Sequence, residues 1–238
     1  MRGLRITALL MGTCWLGMGA VTYQIPNEDG TAEGAMGPIT PLGSGYLIWM
    51  NHFVVQAGGE NIKQVQISYG CTSPGCQFPS PFSTPFTTFP VYLWQGTSNN
   101  PAGATLLTQT NNVTIQAGDA NTNTFLTLDL NPPCCLTPGT HIFVGTVANL
   151  AAAAPGFLPA GFDLTPGSIF GESWFQLGTT AAIPNLNTLG GAYQSLADAN
   201  FLIRAVGEEC PEPGTVALGG LGLVAIFIGR AKRRFAGE

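Results

Sequence analysis

Apolar and polar residues alternate with a period of two along most of the chain between about residues 46 and 206, and Gly, Pro and Asn punctuate the alternating stretches. Eight candidate strands follow: 46–56, 62–69, 91–95, 106–116 with an interruption at Asn111-Asn112, 124–130, 140–147, 173–177 and 200–206. In the second, Val65, Ile67 and Tyr69 are predicted to face a core while Gln64, Gln66 and Ser68 face water. In the fifth, Leu126, Leu128 and Leu130 share one face and Thr127 and Asp129 the other. No helical period competes within this region, so the pattern predicts an all-β domain, an antiparallel β-sandwich of jelly-roll type. Two stretches break the pattern. In 77–90, Phe78, Phe82, Phe86 and Phe89 are interleaved with Pro79, Pro81, Pro85 and Pro90, which excludes a helix or central strand and predicts a long loop whose rings cap one end of the sandwich. The stretch 148–161, with Ala151 to Ala154, reads as a loop with one helical turn.

The two ends have a different pattern. Arg2 and Arg5 precede an apolar stretch, 6–21, with small residues Gly17, Gly19 and Ala20 near its end, the layout of a secretory signal peptide cleaved after Ala20. At the other end stand Pro211-Glu212-Pro213, an uncharged apolar run 214–229, and a basic cluster of Arg230, Lys232, Arg233 and Arg234. As a helix the run spans about 24 Å, and snorkelling flanks with local bilayer thinning cover the shortfall from a hydrocarbon core of about 30 Å. The cationic cluster holds that end in the cytoplasm and leaves everything before Pro211 outside. The organisation is therefore signal peptide 1–20, ectodomain 21–210 and tail 211–238.

Residues 211–234 resemble the PEP-CTERM sorting domain of exported bacterial proteins, with its Pro-Glu-Pro, short membrane helix and terminal basic cluster. The resemblance implies recognition by exosortase, a membrane-embedded cysteine transpeptidase-like enzyme that cleaves near Pro211, Glu212 and Pro213 and releases or re-attaches the outer domain. The extension Phe235-Ala236-Gly237-Glu238 departs from the usual ending at the arginines. The run Val91-Tyr92-Leu93-Trp94-Gln95, with Ile142-Phe143-Val144-Gly145 and Phe201-Leu202-Ile203-Arg204-Ala205, is similar to jelly-roll ectodomains of such proteins, which share no catalytic site to carry over.

Charge narrows the partners. From Val21 to Cys210 eleven carboxylates face only Lys63 and Arg204, 2 − 11 = −9, which argues against nucleic acid and anionic membrane surfaces. Export implies the general secretion machinery, exosortase and a transient or anchoring stay in the inner membrane, and then the cell surface or an extracellular polysaccharide matrix.

Five cysteines remain after the signal peptide: Cys71, Cys76, Cys134, Cys135 and Cys210. Cys71-Thr-Ser-Pro-Gly-Cys76 brackets a turn that a local disulfide can close in an oxidising compartment. Cys134 and Cys135 pair with each other or with partners across loop ends, and Cys210 is the candidate for the odd thiol. A zinc site from these thiolates would have spacings unlike structural zinc motifs.

Candidate chemistry is sparse. His52 and His141 lie outside any metal or nucleophile motif and read as ordinary sheet residues, and no nucleophile elbow, metalloprotease helix or phosphate loop is present. Glu60, Asp129, Asp163 and Glu172 are the carboxylates that could meet as a glycosidase pair. Asp119, Asn121 and Asn123 place oxygens at alternate positions as at the start of a calcium loop, but Thr124 and Leu130 stand where that loop needs Gly and Glu, so a polar turn accounts for them. Asn112-Val-Thr114 fits the glycosylation tripeptide. Tyr92 and Trp94, with Trp49 or Trp174, are candidates for a carbohydrate platform or for core. The expected protein is non-enzymatic and cofactor-free, an exported surface or matrix protein; a carbohydrate- or calcium-binding adhesion module and a secreted glycoside-active enzyme are the alternatives.

Overall fold

The computed structural model describes residues 19–37, 45–72, 88–110, 113–116, 118–130, 135–149, 158–164, 171–179 and 182–210. These form β1 (Val21–Tyr23), β2 (Gly34–Met36), β3 (Tyr46–Val54), β4 (Asn61–Ile67), β5 (Thr88–Phe89), β6 (Val91–Gly96), β7 (Thr105–Gln109) and β8 (Val113–Thr114). They continue as β9 (Leu126–Asp129), β10 (His141–Asn149), β11 (Ala160–Asp163), β12 (Ser173–Gly178), β13 (Gln194–Ser195), β14 (Asn200–Phe201) and β15 (Ile203–Glu208). Every strand pair is antiparallel. Among the described residues no helix is long and apolar enough to cross a membrane.

A six-stranded sheet, β13-β12-β3-β10-β6-β7, and a four-stranded sheet, β1-β15-β4-β9, share one core. Leu47, Trp49 and Phe53 of β3, Val91 and Leu93 of β6, and Ile142 and Val144 of β10 meet Ile62, Val65 and Ile67 of β4 and Ile203 and Ala205 of β15. Period-two alternation thus does in three dimensions what it implies in one: alternate side chains enter the gap between the sheets, broken in β4 between Ile62 and Val65, where the pairing with β15 shifts register. Two smaller ladders, β14-β11-β2 and β5-β8, complete the described fold.

The six-stranded sheet is buried on its other face as well. Ile48 and Met50 of β3, Tyr92 and Trp94 of β6, Phe143 and Val147 of β10 and Trp174 of β12 form a second cluster with Leu189. The segment carrying Leu186 and Leu189 is tied down by backbone bonds from Gly103 N to Leu189 O (2.7 Å), Leu189 N to Ala104 O (2.8 Å) and Leu106 N to Asn187 O (2.9 Å). This double burial explains why residues 46–50 read Tyr-Leu-Ile-Trp-Met without a polar break. Crowding here is severe enough to require glycine: a Cβ on Gly145 of β10 would overlap the Trp49 carbonyl and Met50 of the neighbouring strand.

Several expectations need correction. Ser68 faces inward, buried, with its N–H donated to Leu202 O (3.0 Å), because the chain leaves the β4 ladder after Ile67. The stretch expected as a loop to residue 161 already contains the start of β11, and the Phe/Pro stretch ends in β5, where Phe89 packs edge-on against Trp49 (6.1 Å) and stacks on Tyr69 (5.5 Å). Residues 77–87 and 150–157 lie outside the described residues. Cys210 is not the odd thiol: it is bonded to Cys135, with Cα atoms 6.0 Å apart and 75 residues between them in sequence.

Candidate functional site

β3 and β10 pair with Phe143 opposite His52 and His141 opposite Val54, and this register sets both histidines on the face turned away from the sandwich core. There His52 Nε2 lies 2.8 Å from His141 Nδ1, and His52 Nδ1 lies 2.6 Å from Glu172 Oε2. The imidazoles are 5.1 Å apart at 21°, with the Phe143 ring 5.2 Å from that of His52. Glu172, just before β12, is held a second time where its carbonyl accepts the His52 N–H (2.7 Å). With Glu172 ionised and both rings neutral, His52 donates from Nδ1 to Glu172 and accepts at Nε2 from the Nδ1–H of His141. The result is a carboxylate–imidazole–imidazole chain in which each ring is oriented by its neighbour.

A cleft of about 240 Å³ adjoins this chain, walled by Thr22, Ile25, Pro26 and Gln56 beside His52 and Glu172. Its volume is below the roughly 300–1,000 Å³ usual for small-molecule sites. The side-chain hydrogen bonds of His52 are made to Glu172 and His141. An oriented base is present here, with no hydroxyl or thiol on these hydrogen bonds for it to activate.

The four carboxylates singled out in the sequence have separate surroundings. Glu60 accepts from Gly58 N (3.1 Å), Asp129 from Gln64 Nε2 (3.0 Å), Asp163 from Asp29 N (2.9 Å), and Glu172 is engaged by His52. Asp119 Oδ2 accepts from Gln116 N (2.8 Å), the Asn121 N–H is donated to Tyr69 O (2.9 Å), and Asn123 Oδ1 accepts from Ala32 N (3.0 Å). Asn121 and Asn123 both adopt left-handed backbone, with φ of 59° and 55°, as turn asparagines do. The candidate platform aromatics Trp49, Tyr92, Trp94 and Trp174 are all buried; Trp94 Nε1 donates to Leu186 O and Trp174 Nε1 to Gly171 O, both at 2.8 Å. Cys71 is disulfide-bonded, and Cys76 and Asn112 lie outside the described residues. So do Pro211, Glu212, Pro213, Arg230, Lys232, Arg233 and Arg234. Ala20 directly precedes β1.

One pair went unnoticed in the sequence. Glu28, its side chain fully buried, accepts from Arg204 Nε (2.9 Å) and Nη2 (2.5 Å), and the guanidinium lies 3.9 Å over the Phe125 ring. Burial pushes the Glu28 carboxyl up from the ordinary carboxylate range, the bond to Arg204 pulls it back, and nearby Asp163 and Asp29 add to the rise. The available signal was Arg204 itself, with Lys63 one of two Lys or Arg residues between 21 and 210, set in the apolar stretch Phe201-Leu202-Ile203-Arg204-Ala205.

Residues 209–234 match the PEP-CTERM protein-sorting motif, so the chain carries the tail of an exported protein directed to exosortase and the cell surface. No curated protein matches it. Among solved structures it is similar to the crystal structure of the cysteine protease and lectin-like domains of Cwp84, a surface layer associated protein of Clostridium difficile, at 13% identity and a TM-score of 0.48, over 80% of this chain and 36% of that one. The chain thus spans about a third of the length of that protein.

Proposed function

We propose that this chain is a non-enzymatic surface or extracellular-matrix protein. In this reading residues 1–20 open export, 214–229 hold the translocated precursor in the inner membrane, and exosortase cuts at Pro211-Glu212-Pro213 to deliver a jelly-roll sandwich. The observation that carries it is the sorting motif at 209–234 directly after an all-β antiparallel unit whose last described residue, Cys210, is cross-linked to Cys135. Such a cross-link suits an oxidising exterior. Ala20 precedes β1 by one residue, so cleavage there would leave β1 whole for pairing with β15. The small cleft, the inward use of the histidine hydrogen bonds and the separate surroundings of Glu60, Asp129, Asp163 and Glu172 favour a structural or adhesive role over catalysis.

The test is the intact mass of the protein recovered outside an exosortase-bearing host and its isogenic strain lacking that enzyme. A product from about Val21 to about Pro213 in the first strain alone is expected. An intact tail in both strains overturns the processing step. Glu212→Ala, or deletion of 230–234, is expected to hold the precursor in the membrane; release of both variants at the wild-type level would count against the tail as the determinant.

A further inference from the structure

The loop between β1 and β2 brings Glu28, Asp29 and Glu33 beside β11. Asp29, Glu33 and Asp163 each present a carboxylate oxygen, and these oxygens lie within 4.8 Å of one another. Two ligands about 2.4 Å from a single Ca²⁺ can be at most about 4.8 Å apart, so the grouping has the span that one such ion imposes. Asp29 and Glu33 are exposed, whereas Asp163 is fully buried at the base. Close carboxylates repel, and without a cation burying one of them beside two more is costly.

A second observation is independent of those charges. Asn200 of β14 lies directly opposite Asp163 of β11, so both side chains leave their ladder on the same face. Asn200 is 1% exposed, and its Oδ1 is a buried acceptor with no hydrogen-bond partner. Glu28 Oε2, on the adjoining loop residue, is also buried and without a partner. Buried acceptors call for a donor, a water or a metal. Here two of them border three converging carboxylates.

We infer that Asp29, Glu33 and Asp163, with Asn200 Oδ1 beside them, form a binding site for a hard divalent cation of the calcium type. The donors are all oxygens, without the imidazole or thiolate that would select zinc or copper. Carboxylates and an amide carbonyl drawn from a loop and two short strands suit the flexible, high coordination of Ca²⁺ better than the strict octahedron of Mg²⁺. The ion would fasten the β1–β2 loop to the β14-β11-β2 ladder. Outside the cell an affinity of about 10⁻⁴–10⁻³ M is enough for occupancy. The site is separate from the Asp119-to-Asn123 turn, whose Asn123 accepts from Ala32 N and so supports the same loop without belonging to the cluster.

The full chain, purified in detergent and stripped with EDTA, is titrated calorimetrically with CaCl₂ and MgCl₂ and melted with and without each. One saturable Ca²⁺ per chain is expected, with Mg²⁺ at least tenfold weaker and a melting point raised by about 5 °C at saturation. Glu33→Gln and Asp29→Asn change exposed residues and should keep the β circular-dichroism spectrum while weakening Ca²⁺ tenfold or more; Asp119→Asn should bind as wild type. The assignment fails if the wild-type chain shows no saturable binding. It also fails if both cluster variants bind as wild type, or if Asp119→Asn alone removes binding. None of these outcomes depends on exosortase, so the site and the sorting reading stand or fall separately.

Discussion

Asn51 is a polar residue at the centre of an apolar strand, and its surroundings show what it is for. Its amide donates to Phe201 O (2.8 Å) and Ile203 O (2.9 Å), and its Oδ1 accepts from Ser173 Oγ (2.7 Å), which in turn accepts from Phe201 N (3.1 Å). Leu202, between those two carbonyls, interrupts the ladder where β14 gives way to β15, and the Asn51 side chain bridges the break by bonding the carbonyls on either side of it. Replacing it with leucine keeps the bulk and strands two buried carbonyls and a hydroxyl. Asn51→Leu is therefore expected to cost about 2–4 kcal/mol, and Ser173→Ala about 1–2 kcal/mol, in urea unfolding followed by tryptophan fluorescence. If Asn51→Leu is neutral, water reaches this network and the account of the β14–β15 break is wrong.

At the scale of elements, what holds the two ends of the described β unit differs. β1 is three residues long and relies on Tyr23, whose hydroxyl donates to Gly59 O (3.0 Å) and accepts from Gln56 N (3.0 Å), locking the β3–β4 turn. Tyr23→Phe should lose about 1–2 kcal/mol and loosen β1, seen as faster amide exchange at Thr22 and Gln56. β15 is fixed instead by the Cys135–Cys210 bond, which closes a loop of 75 residues and by chain entropy contributes about 4 kcal/mol, so Cys210→Ser should lower the denaturant midpoint and, by letting the unfolded chain expand, steepen the slope. The long strands were legible because alternation is local: 46–56, 62–69 and 140–147 locate β3, β4 and β10 to within two residues. The sorting tail was legible for the same reason, its parts being contiguous. β2 (Gly-Ala-Met) and β11 (Ala-Gly-Phe-Asp) are too short and too poor in branched residues to show a period, and β13 has two residues, whereas β14 falls within the expected strand 200–206, which Leu202 divides from β15. The His52–Glu172–His141 chain was out of reach because it joins residues 89 and 120 positions apart through a register that no local pattern encodes.

The whole molecule combines a strongly acidic stretch, residues 21–210, with phenols that resist ionisation, and the two together predict where it fails. Burial pushes Tyr69 and Tyr193 well above the ordinary phenol range and raises Tyr23 and Tyr92 as well. In the unfolded chain all of these titrate near pH 10. Below that pH both states keep their phenolic protons and the contribution to stability is whole. Above it the unfolded chain releases protons that the folded one retains, so stability falls as pH rises, by about 1.4 kcal/mol per pH unit for each phenol kept fully protonated. Tyr69 is wholly buried and contributes this slope in full, with Tyr193 next. Repulsion within residues 21–210, of net charge −9 (2 − 11), adds to the loss as further negative charge develops. Alkaline unfolding should therefore be abrupt, with phenolate absorbance at 295 nm rising in one cooperative step that coincides with loss of the β circular-dichroism signal above about pH 10. Phe at position 69 would remove one phenol from this linkage, so Tyr69→Phe should shift the midpoint to higher pH if it packs as the wild type does. Smooth titration of all five tyrosines near pH 10 with the β signal intact would show that solvent reaches these rings and that the core is looser than the two-sided burial of the six-stranded sheet requires.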